Sequence, residues 1–252
     1  DHAATSEDFR DVGFFGCLDA LDDAEVVENL VATAESWLVA KGMKTCRGPC
    51  LLSMNGEPGL LVSGHSEPPM VMAPWHPEYL QPLIERCGYR RIRDLHYYRI
   101  DITPEALGAA AGGIRLSSRR GSFAVRNLNR FNPGGEMEVI RKVYNDAWKN
   151  NWGFIPLRKE DLGAFKTQLR PFLKPEYGTI VEIDRKPVGI ALTLPNLAEM
   201  SADLGVNPSP IGWLRFLWRG ITRDFRSARL ILLGINADRA KTVGGVAIVM
   251  TL

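Results

Sequence analysis

The stretch GTIVEIDRKPVGIALTL, residues 178–194, constrains the fold more than any other part of this chain. Two β-branched runs flank Asp184, Arg185 and Lys186, the pattern of a hairpin around a polar turn. Its neighbours say what kind of layer it joins. FAVRNLN upstream reads as a strand, and Met137, Ile140, Val143/Tyr144 and Ala147/Trp148 then recur at helical spacing up to Gly153. Leu162, Phe165, Leu169 and Phe172 mark a second helix, interrupted by Pro171 and Pro175. After the hairpin come a helix over 211–226 and an aliphatic strand over 229–235. The order strand, helix, helix, hairpin, helix, strand predicts an α/β (α+β) fold around a mixed sheet.

The first part of the chain repeats the mixture. GFFGCLD is a strand candidate, and Asp22 stands three residues before Glu25 in capping-box spacing. Val27, Leu30/Val31, Ala34 and Leu38 then predict an amphipathic helix closed at Gly42. MKTCRGPCLLSMN reads as strand and residues 56–77 as a loop rich in proline and glycine. A helix ending near Gly88 follows, and then a strand through Ile92, Leu95, Tyr97 and Tyr98. The small, glycine-rich and basic stretch 103–121 reads as a linker, so the expected domains are 1–102 and 122–252.

Composition narrows the partners. A net charge of +2 gives no reason to expect nucleic acid, and no segment offers the roughly 20 apolar residues of a transmembrane span. The opening DHAATSEDFRD is polar and acidic, unlike a signal peptide, so a cytoplasmic location is expected. Cys17, Cys46, Cys50 and Cys87 read as free thiols. The CRGPC pair has no second cysteine or histidine pair to complete a zinc site, so no metal is expected.

Three segments could carry chemistry. After the aliphatic strand, a loop with Arg239, Lys241, Gly244, Gly245 and Val246 leads into an apolar run. Free amides at a helix start, next to a cation, can hold a phosphate; an ordinary surface turn reads the same way. The cluster from Tyr144 to Asp161 places Asn145, Trp148 and Trp152 close together, with the two tryptophans one turn apart if the helix persists. Such indoles and amides could form a slot for an organic substrate, or could cover core at a helix end. In the helix over 211–226, Arg215, Arg219 and Arg223 recur opposite Leu214, Leu217, Ile221 and Phe225. A solvated basic face over an apolar stripe is the expectation; docking on anionic lipid, contact with an acidic partner and a hold on a ligand's phosphate are the alternatives. No nucleophile stands out, since a G-x-S-x-G elbow is absent. Glu182, in the hairpin, reads as a solvent-facing residue or, less simply, as a base.

Together GFFGCLD, GMKTCRGPCLLSMN, HPEYLQPLIERCGYRRIRDLHYY, YNDAWKNNWGFIPL and ARLILLGI resemble bacterial proteins similar to the GNAT superfamily of acyl-CoA-dependent N-acyltransferases. The resemblance implies two GNAT-like units, the latter half of one followed by the first half of another. It implies acetyl-CoA or another acyl-CoA as cosubstrate, a small-molecule or peptide amine as acceptor, and direct attack of the amine on the thioester. The cofactor would lie along Leu233 and Ile235 and at Arg239, Lys241, Gly244, Gly245 and Val246. The acceptor would lie at Asn145, Trp148 and Trp152. In the first unit the phosphate-loop position reads ALDDAEVV, acidic and without glycine, which implies a non-catalytic copy. Incomplete sheets would leave edges open to self-association. The alternative is a non-catalytic ligand- or protein-binding module built on a degenerate acyltransferase fold.

Overall fold

The computed structural model describes residues 9–51, 53–105, 108, 123–163, 174–201, 203–205, 207–222, 225–236 and 238. The chain divides into two compact units, Asp1–Tyr98 with Trp152–Ile155, and Arg99–Asn151 with Pro156–Leu252. Both mix helices with small sheets, so the α/β class read from the sequence holds.

In the first unit β1 (Val12–Phe14) and β2 (Thr45–Arg47) run parallel, joined through α1 (Ala24–Ala40). The cap of α1 is Asp23 rather than Asp22: its carboxylate accepts from the amides of Glu25 at 2.9 Å and Val26 at 3.3 Å. At the other end the Met43 amide donates to Leu38 O and the Gly42 amide to Val39 O. Gly42 sits at φ +80°, which makes a glycine-closed Schellman end. Val27 and Val31 bury against Leu80, Leu83 and Ile84 of α2 (Leu80–Arg86). The stretch expected as one strand after α1 is divided at Gly48–Pro49 into β2 and a short β3 (Cys50–Leu51), which pairs antiparallel with β4 (Glu57–Pro58).

The expected strand through Ile92, Leu95, Tyr97 and Tyr98 does not form among the described residues, and all four side chains are exposed. Strand character needs a neighbour to take its N–H and C=O groups, which bulky residues alone do not supply.

The second unit is built on an antiparallel sheet in the order β5 (Phe123–Asn127), β6 (Gly178–Ile183), β7 (Lys186–Pro195), β8 (Ala228–Ile235). Residues 188–192 of β7 are buried without alternation, as in a strand covered on both faces. Helix α3 (Pro133–Ala147) packs Ile140, Val143 and Tyr144 into the core. It starts a turn before the apolar pattern, because Asn132 accepts from the Gly135 amide at 3.1 Å and Pro133 opens the first turn. The second expected helix is described only over 159–163; Phe165, Leu169, Pro171 and Phe172 lie outside the described residues, as does most of the linker. Between β7 and β8 the chain makes α4 (Ala198–Ser201) and α5 (Pro210–Thr222). Among the described residues no helix is long and apolar enough to cross a membrane.

Candidate functional site

Strand β8 and the end of α3 bring together the described part of the expected site in the second unit. β8 pairs with β7 along one edge, and among the described residues no strand pairs with its other edge. Leu192 opposes Leu232 while Thr193 opposes Leu230, so Ile231 is an extra residue in β8 and the strand bulges there. A bulge bends a strand and re-aims its backbone groups. Beyond it Leu233 opposes Ala191 and Ile235 opposes Gly189, both half-buried, with Ile235 packed on Val181 and Val188. The Asn236 amide donates to Val188 O at 2.8 Å, ending the ladder. Its side-chain Oδ1 is buried and has no hydrogen-bond partner among the described residues. Arg239, Lys241, Gly244, Gly245 and Val246 lie outside the described residues.

Gly234 admits the Trp148 indole. A Cβ built on Gly234 would overlap the six-membered ring of Trp148, so glycine is required here by close approach. Tyr144 stacks with that indole, its ring centroid 5.0 Å from that of Trp148 at an interplanar angle of 26°. Burial pushes the Tyr144 phenol up to about 12, so it stays protonated at neutral pH. Asn145 clamps the backbone of one residue: Oδ1 accepts from the Leu157 amide at 2.8 Å and Nδ2 donates to Leu157 O at 3.0 Å.

The expected turn between Trp148 and Trp152 is not realised, because α3 ends at Ala147 and the chain turns through Gly153 at φ +72°. Trp152 belongs to the first unit, where the Arg93 guanidinium lies 5.3 Å from its ring centroid. The structure therefore brings Asn145, Trp148, Leu233 and Ile235 into one unit and puts Trp152 in the other.

Two features escaped the sequence. Glu182 faces neither solvent nor a cleft: it accepts from Arg126 Nε at 2.7 Å, while Arg126 Nη1 donates to Glu136 at 2.9 Å. Both carboxylates hold the guanidinium above its ordinary range, Glu136 most strongly. Asn236 is the other; a polar residue ending an aliphatic strand was the available signal. In the first unit, the Asp23 carboxylate already occupies two amides at the α1 N-terminus, the groups an anion would need. The cysteines are free, and burial pushes the Cys50 thiol up to about 11, away from the thiolate a nucleophile requires.

Two curated proteins are similar over most of the chain. Protein YghO of Escherichia coli (strain K12) is 33% identical over 229 residues, covering 91% of this chain and 58% of that protein. A bacterial ceramide synthase of Caulobacter vibrioides (strain NA1000 / CB15N) is 34% identical over 224 residues, covering 89% of this chain and 58% of that protein. The chain is homologous to both. It spans about 58% of the length of these relatives. No family model matches it.

Proposed function

We propose that this protein takes part in N-acylation of a lipid amine, transferring the acyl group of an acyl-CoA to a sphingoid-type base. The observation that carries this reading is the 34% identity to a bacterial ceramide synthase across 89% of the chain. A ceramide is an N-acylated sphingoid base, so the acceptor is an amine and the bond formed is an amide. The GNAT resemblance of the second unit supports the same chemistry. The neutral amine attacks the thioester carbonyl carbon, the C–S bond breaks, the thiolate leaves with a proton, and the nitrogen gives up its extra proton. No protein nucleophile is needed for this step.

In this reading the open edge of β8 holds the pantetheine arm through backbone groups of Leu233 and Ile235. The bulge at Ile231 turns those groups toward the ligand. Arg239, Lys241 and the amides around Gly244, Gly245 and Val246 take the pyrophosphate. Trp148, fixed on Gly234, walls the acceptor side, and Asn145 holds the Leu157 backbone in place beside it. Trp152 receives no role. The first unit does not bind acyl-CoA, because Asp23 fills its own helix N-terminus.

The test uses the protein with whatever flanking sequence its gene encodes, a long-chain acyl-CoA and sphinganine. Thiol release should match formation of the N-acyl product by mass spectrometry, and Lys241→Ala with Arg239→Ala should raise the KM for acyl-CoA about tenfold or more. Absence of saturable acyl-CoA binding by calorimetry would overturn the reading in favour of a binding module on a degenerate acyltransferase fold.

A further inference from the structure

Helix α5, PIGWLRFLWRGIT, carries its apolar side outward. Ile211, Trp213, Leu214, Leu217 and Trp218 are between 55% and 68% exposed. The other side holds Gly212, buried beside Pro208, the half-buried Phe216 and the half-buried Arg219. Arg219 Nη1 donates to Met200 O at 2.8 Å, and Nη2 donates to Asp203 at 2.8 Å. The base of this excursion is fastened as well. Asn196 donates to Ser227 through both its amides at 3.0 Å, and Glu199 accepts from the Arg226 amide at 3.0 Å and the Ser227 amide at 2.9 Å. These contacts fix which side of α5 faces the protein, and they leave the large hydrophobic side chains in water. A contiguous apolar patch of this kind marks a surface that something covers.

We propose that α5 is an interfacial helix that docks on an anionic lipid bilayer. The charge around the patch selects this occupant. Helix α5 carries Arg215 and Arg219 and no acid; Arg219 pairs with Asp203, and the sequence over 223–229 adds Arg223, Arg226 and Arg229 against Asp224. Arg215 and Arg226 are exposed. An apolar face that carries two tryptophans, with the exposed Arg215 on the same helix, suits the headgroup boundary, where indoles lie at the interface and guanidinium groups meet lipid phosphates. Bilayer docking does not depend on the acyltransferase reading and goes beyond it.

Co-sedimentation of the full-length protein with phosphatidylcholine vesicles, with and without about one-third phosphatidylglycerol, tests the proposal. The protein should pellet with the anionic vesicles, and acyl-chain-brominated lipid should quench its tryptophan fluorescence. Leu214→Asp with Leu217→Asp should weaken binding about tenfold or more at unchanged circular dichroism. Arg215→Glu should weaken binding to the anionic vesicles alone, and Trp218→Phe should reduce quenching while binding persists, so the test stands if the double variant misfolds. Wild-type protein left in the supernatant with both vesicles would overturn the proposal. So would binding indifferent to all these substitutions, or a stable dimer that Leu214→Asp with Leu217→Asp dissociates. Thiol release from a short-chain acyl-CoA, measured without vesicles, separates the two ideas: its absence counts against acyl transfer and leaves docking standing.

Discussion

The contact of Trp148 with Gly234 leaves no room for a methyl group. Gly234→Ala should destabilise the second unit by about 1–3 kcal/mol, the usual cost of overpacking. Made in a Trp148→Ala background, the same change should cost within about 0.5 kcal/mol of nothing, a coupling that urea denaturation of the four-protein cycle would read. Asp203 offers a pH signature. The hydrogen bond from Arg219 holds its carboxyl at about 2, below the ordinary 3.8. Since the folded value lies below the unfolded one, the contact stabilises fully above the unfolded value and fades as pH falls through about 2. The pair is solvent-exposed, so the effect is small. The melting-temperature gap between wild type and Asp203→Asn should be widest near neutrality and close as the pH falls to about 2; a gap constant with pH would mean that charge is not what holds the pair.

Three elements meet at Arg126. It stands on β5, takes Glu182 from β6 and Glu136 from α3, and so ties the helix to the edge of the sheet. Glu136 is buried, and its loss leaves the guanidinium with one carboxylate, Glu182. Glu136→Ala should cost about 1–3 kcal/mol, less than a fully buried pair because Arg126 is partly solvated. Glu136→Gln, which keeps one acceptor, should cost less; equal losses would show that packing, not the ion pair, holds α3 there. The elements also show how far local pattern reaches. The hairpin and β8 were legible because continuous aliphatic or β-branched runs admit few other conformations. The outward face of α5 was not. Its amphipathic pattern names two faces, but hydrogen bonds from Arg219 to Met200 and Asp203 turn the side bearing Arg219 toward the protein, while Arg215 stays exposed. The stretch 89–98 fails for the complementary reason: its residues favour a strand, and no neighbour among the described residues pairs with it.

For the whole molecule, homology over about nine-tenths of this chain carries more functional information than any single side chain. If acyl-CoA binds the folded protein, ligand linkage must follow. Coenzyme A at about 100 times its dissociation constant should stabilise the full-length protein by about 2.7 kcal/mol. Scanning calorimetry with and without ligand would show this as a raised melting temperature, and Lys241→Ala should shrink the rise. A melting temperature blind to coenzyme A would remove the proposed cosubstrate.

The sequence by itself determined the mixed α/β class, the hairpin, the aliphatic strand and the end of α1 at Gly42, because capping and periodicity act within a few residues. It also drew attention to Asn145 and Trp148, without revealing their contacts. Tertiary structure decided that Asn145 holds the Leu157 backbone, that Trp148 lies on Gly234, that Asp23 rather than Asp22 caps α1, and that α5 turns its hydrophobic side to solvent. For Asn145, Trp148 and α5 the outcome depends on which group, distant along the chain, comes within contact distance. For α1 it depends on which of two adjacent carboxylates the backbone aims at the first turn. Neither choice is encoded in spacing alone.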